Sequence, residues 1–129
     1  MAKAKYGDVI YTKHKFYRHY GIYINENCVI HYDGKIDDIF LRKMCIRETE
    51  MERFLDGKEN YYVDNRKAKF DNNEVVKRAR EKIGEERFNL ATHNCEHFAI
   101  WCKTNKPRSK QVYLTLLLAI TINNCFLKL

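Results

Sequence analysis

The stretch His93-Asn94-Cys95-Glu96-His97-Phe98-Ala99-Ile100-Trp101-Cys102-Lys103 decides how the rest of the chain is read. It reads as a helix: Asn94 can serve as N-cap, Cys95 and Glu96 fall in the first turn, and Lys103 closes the run where the helix dipole favours a cation. Cys95, Phe98, Ala99 and Cys102 then share one face, at i, i+3, i+4 and i+7. A thiol in a first helical turn lies among unpaired backbone N–H groups, an environment that favours the reactive thiolate. Cys95 is therefore the nucleophile candidate. The alternative is that it is one more small apolar residue on an amphipathic helix. His93, Cys95, His97 and Cys102 are all metal-ligand types, but their spacing fits neither pairing usual in zinc sites, so no metal is expected.

The 129 residues are 45% hydrophobic and 13% aromatic, enough for one domain with a core. Lysine and arginine number 24 against 17 acidic residues, a net charge of +7 that implies an anionic partner. The basic residues are spread along the chain, with short clusters at Arg66-Lys67-Ala68-Lys69 and Lys77-Arg78-Ala79-Arg80. No phosphate-binding glycine loop or RNA-binding aromatic signature accompanies them, so an anionic membrane surface is expected and nucleic acid is not. The five cysteines, at positions 28, 45, 95, 102 and 125, form no paired framework, and the basic start carries no apolar leader. A reducing, cytoplasmic setting is the expectation.

Taken in order, Tyr6 to Thr12 predicts a first strand, and Lys13 to Arg18 a loop. His19-Tyr20-Gly21-Ile22-Tyr23-Ile24 and Cys28-Val29-Ile30-His31-Tyr32 predict a hairpin around the turn Asn25-Glu26-Asn27. Such a turn pairs residues whose numbers sum to about 50 to 52, which puts His31 opposite His19 or within two positions of it. A one-residue slip would send the two rings to opposite faces. Arg42 to Glu48 predicts another strand, Thr49 to Gly57 a strand or short turn, and Tyr61 to Val63 a last short strand. Asp71 to Gly84 predicts a helix with Val75, Val76, Ala79 and Ile83 on its apolar stripe, and Glu85 to Ala91, with Phe88 and Leu90 alternating, crosses to the Cys95 helix. Strands first and helices second make an α+β domain: an antiparallel sheet of N-terminal strands packed on C-terminal helices. After Pro107, the run Val112 to Ile122 is uncharged and apolar. Basic residues at Lys106, Arg108 and Lys110 precede it, and membrane association through this segment is expected.

Nucleophilic thiol chemistry needs a base, and that base needs a partner to hold it. Tyr17-Arg18-His19-Tyr20-Gly21-Ile22-Tyr23, Val29-Ile30-His31-Tyr32 and Asn94-Cys95-Glu96-His97-Phe98, in that order, resemble the lecithin retinol acyltransferase-like domain, which includes the small phospholipase A/acyltransferases. The resemblance runs from about Tyr6 to Val112. It implies a circularly permuted papain-like (NlpC/P60) architecture, with a catalytic domain over 1–111 and a hydrophobic tail over 112–129. It also implies Cys95 as nucleophile, His19 as general base and His31 as the group that orients the base, with no cofactor. His97 belongs to the motif but not to that triad. The implied reaction takes an acyl group from a glycerophospholipid onto the thiol and passes it to water, an amine or an alcohol. Two alternatives stand beside it: a non-enzymatic interaction domain of the same fold, as in some small RNA viruses, and a cysteine peptidase or amidase.

Overall fold

The computed structural model describes residues 3–15, 17–34, 44–86 and 94–106. Five strands, β1 (Val9–Lys13), β2 (Arg18–Asn25), β3 (Cys28–Asp33), β4 (Cys45–Glu50) and β5 (Tyr62–Val63), form one sheet in the order β4-β3-β2-β1-β5, with every pair antiparallel. Among the described residues three helices, α1 (Met51–Leu55), α2 (Asn72–Glu81) and α3 (Cys95–Thr104), complete an α+β unit.

Alternation along the strands sorts their side chains between two cores. On one face Val9, Tyr20, Ile22, Ile30, Tyr32 and Ile46 meet the apolar stripes of α2 and α3, including Val75, Val76, Ala79, Cys95, Phe98, Ala99 and Cys102. Fully burying Ile22 or Ile30 stabilises this layer by about 1.5 to 3 kcal/mol each. On the other face Ile10, Tyr23 and Val29 pack with Met51 and Phe54 of α1. The helices are tied together by Arg78, whose guanidinium stacks between Phe70 at 4.3 Å and Trp101 at 3.8 Å and donates to the Trp101 carbonyl.

The hairpin forms as expected, with Asn25 Oδ1 accepting from the Asn27 N–H at 2.8 Å across the turn. Its register pairs Gly21 with His31 and Ile22 with Ile30, and a bulge between Tyr23 and Asn25 absorbs the offset at the tip. Arg18, expected in the loop, opens β2 opposite Lys13. The stretch from Thr49 differs more. It ends β4 and turns at once into α1, because Met51 and Phe54, three apart, bury together against the sheet, and Asp56 and Gly57 leave the helix with positive φ. At the outer edge of β4, Ile46 donates to the Glu85 carbonyl and accepts from the Gly84 N–H, so the chain leaving α2 covers that edge.

The connector with Phe88 and Leu90 and the segment from Val112 lie outside the described residues. The expected localisation at a membrane through that segment needs correcting. Among the described residues no helix is long and apolar enough to cross a membrane. The physical reason is visible in the run itself, since Val112 to Ile122 falls well short of the roughly 20 apolar residues a spanning helix needs.

Gly21 is the residue on which the close approach of α1 depends. A Cβ there would lie 2.7 Å from Val29 Cγ1 and 2.8 Å from Phe54 Cε2. Gly21→Ala is therefore expected to lower the stability measured by urea unfolding by about 1 to 3 kcal/mol, the usual cost of overpacking. An unchanged midpoint would show that Phe54 does not seat against the strand as described.

Candidate active site

Each of the three residues singled out in the sequence is positioned by a different element. Cys95 opens α3 behind the N-cap Asn94, whose Oδ1 accepts from the His97 N–H at 2.9 Å. The His97 ring returns the bond, with Nδ1 accepting from the Asn94 N–H at 3.4 Å. This capping box uses histidine where glutamate or glutamine is usual, so His97 is occupied in holding the helix start. The position three residues after the N-cap was the signal for it.

His19 and His31 come together. The register places them two residues apart across β2 and β3 on the same face, and His19 Nε2 lies 2.9 Å from His31 Nδ1. The rings meet edge to face with centroids 5.0 Å apart. Phe54 backs both, at 5.1 Å from His19 and 5.2 Å from His31. His31 continues the line: its Nε2 is 2.7 Å from Thr49 Oγ1 on β4, and its Nδ1 is also 3.1 Å from the Tyr32 carbonyl oxygen. Phe54, Gly21 and Thr49 were not singled out in the sequence. Only the fold shows that a short helix and a third strand converge on the hairpin.

The sulfur of Cys95 reaches the β2 backbone beside His19. Its S–H donates toward the Arg18 carbonyl at 3.5 Å, and the N–H groups of Tyr20, Glu96 and Cys95 itself face it. Among the described residues no hydrogen bond joins the sulfur to the His19 ring, and the remaining ring nitrogen of His19, Nδ1, is not engaged by His31. An open cleft of about 760 Å³ exposes the histidine side of this arrangement. His14, Tyr17, His19, His31 and Phe54 are among its walls, and Cys95 is not. Among the described residues no group of three or more His, Cys, Asp or Glu is arranged to hold a metal.

Electrostatics at the site are dominated by burial. Cys95 is 3% exposed, and desolvation pushes its thiol up to about 11 against the three N–H groups that favour the thiolate. The thiolate expected from the helix start is thus outweighed, because losing water costs the anion more than one turn of amides returns. His19 is held well below the usual imidazole value by burial first and then by His31 and His14. His31 is lowered to about 4, again by burial, with Asp33 and the Tyr32 carbonyl opposing. All three groups are neutral near pH 7.

The histidine shift has a consequence for stability. Below pH 6.5 the unfolded chain binds a proton at His31 that the folded chain refuses until about pH 4. His31 therefore contributes stability that is complete above pH 6.5 and is lost as the pH falls through that window, on the order of 3 kcal/mol in all. Urea unfolding of the protein and of His31→Gln from pH 7 to 4 is expected to show a shallower acid slope in the variant. Equal slopes would contradict a buried, neutral His31.

Known proteins resemble this chain over most of its length. Residues 2–108 match the family model described as lecithin retinol acyltransferase. The chain is 30% identical over 125 residues to phospholipase A and acyltransferase 2 of Homo sapiens, covering 85% of this chain and 76% of that protein. It is 27% identical over 118 residues to phospholipase A and acyltransferase 5 of Homo sapiens, covering 82% of this chain but 42% of the relative. It is 28% identical over 130 residues to the lecithin retinol acyltransferase of Rattus norvegicus, covering 81% of this chain and 56% of that protein. The match thus spans less than half the length of the human phospholipase A and acyltransferase 5 and about three quarters of the human phospholipase A and acyltransferase 2.

Proposed function

The chain belongs to the lecithin retinol acyltransferase family, and from that premise we propose that it is a thiol-dependent acyl hydrolase and acyltransferase acting on glycerophospholipid esters. The observation that carries the proposal is the 2.9 Å imidazole pair lying beside the strand residues that the Cys95 sulfur touches. Three kinds of support meet there: a thiol at a helix start, a neutral imidazole, and a second imidazole bonded to the first. Relatives named for phospholipase and acyltransferase activity point the same way. The strand-then-helix order, with the cysteine on the last described helix, suits a permuted papain-like architecture, and we assign the catalytic unit to residues 1–111. The net charge of +7 suits the anionic surface on which such esters are presented.

In the first half-reaction the Cys95 thiol gives its proton to His19 Nδ1 as the sulfur attacks the ester carbonyl. The Cys95 N–H at the start of α3 is the donor proposed for the developing oxyanion. Collapse breaks the ester C–O bond, and the proton on His19 passes to the departing lysophospholipid oxygen, leaving an acyl thioester. In the second half, water, an amine or an alcohol loses its proton to His19 while attacking the thioester. The carbonyl re-forms, the carbon–sulfur bond breaks, and the thiolate regains the proton. His31 keeps the His19 ring oriented throughout.

A thiol near 11 makes a standing thiolate–imidazolium pair unnecessary to this scheme, since the proton moves with the attack. The base is competent wherever His19 is neutral, which reaches below pH 6.5 because burial holds its value down. With phosphatidylcholine vesicles, release of fatty acid is expected. Cys95→Ala should lower it by about a thousandfold or more, and the acid limb of kcat/KM should lie below pH 6.5. Unchanged turnover in folded Cys95→Ala would eliminate the reading in favour of an interaction domain. Turnover of peptide amides but not lipid esters would favour a peptidase.

A further inference from the structure

Three side chains run in line across three adjacent strands: His19 on β2, His31 on β3 and Thr49 on β4. Their hydrogens can be placed in two ways, and only one leaves His19 able to act as a base at Nδ1. In the first, Thr49 donates its hydroxyl hydrogen to the Glu50 carbonyl, 3.1 Å away, and its oxygen accepts from His31 Nε2–H. His31 Nδ1 is then a bare lone pair and accepts from His19 Nε2–H. The neutral His19 ring carries one proton, so its Nδ1 is free for the thiol proton. In the second, His31 carries its proton on Nδ1 and shares it between His19 Nε2 and the Tyr32 carbonyl, 3.1 Å away. Thr49 must then turn its hydroxyl from Glu50 to His31, and the His19 proton sits on Nδ1, where the thiol proton would need to go.

We propose that Thr49 is the positioning residue that selects the first arrangement, setting the tautomer of His31 and through it the basic nitrogen of His19. This rests on the catalytic reading above. A carbonyl can only accept, so the Glu50 oxygen commits the Thr49 hydrogen and leaves its oxygen as an acceptor. The 2.7 Å contact forms in either arrangement, but the first adds the Thr49 bond to Glu50 and gives each donor its own acceptor, whereas the second breaks that bond and makes one His31 Nδ1–H serve both His19 and the Tyr32 carbonyl. His31 is 2% exposed, so no bulk water replaces either partner cheaply, and the choice falls to Thr49 and Tyr32. Thr49 acts on the reaction only through His31 and His19.

The test compares the protein with Thr49→Val, which keeps the shape and removes the hydroxyl, and with Thr49→Ser, which restores it. Nitrogen-15 NMR of the histidine rings at neutral pH is expected to show His31 protonated at Nε2 in the protein and in Thr49→Ser, and at Nδ1 in Thr49→Val. Fatty-acid release should fall in Thr49→Val by about ten- to a hundredfold in kcat, the lower part of what a general base contributes, with little change in KM. Thr49→Ser should return most of it. A His31 proton on Nδ1 in the unaltered protein, or a Thr49→Val variant with an unmoved tautomer, overturns the proposal whatever the rates. The NMR result needs no turnover, so it stands apart from the Cys95→Ala result that decides the catalytic reading.

Discussion

The contact between His19 Nε2 and His31 Nδ1, 2.9 Å long, is the constraint on which the rest of the site depends. It exists because β2 and β3 pair with Gly21 opposite His31, which leaves the two rings diagonal on one face. A slip of one residue would separate them across the sheet and would also move Ile22 and Ile30 out of the core they share with α3. The register is therefore enforced by hydrophobic burial on one face and sets the imidazole pair on the other. Gly21 and Phe54 finish the arrangement. The missing side chain lets the ring come in, and the ring packs against both imidazoles.

Exclusion of water sets the protonation states. Burial raises the thiol and lowers both histidines, so each group rests in its neutral form. Asp33, the acid that acts on His31, is already bonded to Arg53 at 2.6 Å and Arg47 at 3.3 Å. Neutral imidazoles have definite tautomers, and a tautomer has to be chosen by something. The hydroxyl of Thr49 stands at the end of the line where that choice is made.

Much of this could be read in the sequence, for reasons that can be named. Alternation and turn residues located the hairpin, and counting through Asn25 and Glu26 bracketed the observed register. Asn94 marked the start of α3 because an N-cap is a local signal. Non-local features were hidden. Thr49 and Phe54 lie 18 and 23 residues beyond His31, and nothing in their own surroundings marks them as its neighbours. The turn into α1 was missed because a five-residue helix has too short a period to stand out from a strand end. Thiolate stabilisation was expected from the helix start alone. The burial that overrides it comes from packing between α3 and the sheet. The apolar run after Pro107 suggested a membrane segment by composition, where length was the better guide.

The central claim is that the acyl group passes through the Cys95 sulfur, and the most direct measurement is mass spectrometry of the protein quenched in acid during turnover of phosphatidylcholine. The account expects a mass gain equal to one fatty acyl group, mapped to the peptide containing Cys95 and removed by hydroxylamine at neutral pH. Fatty-acid release with Cys95 unmodified throughout, and with the same rate after that thiol is blocked, would contradict it.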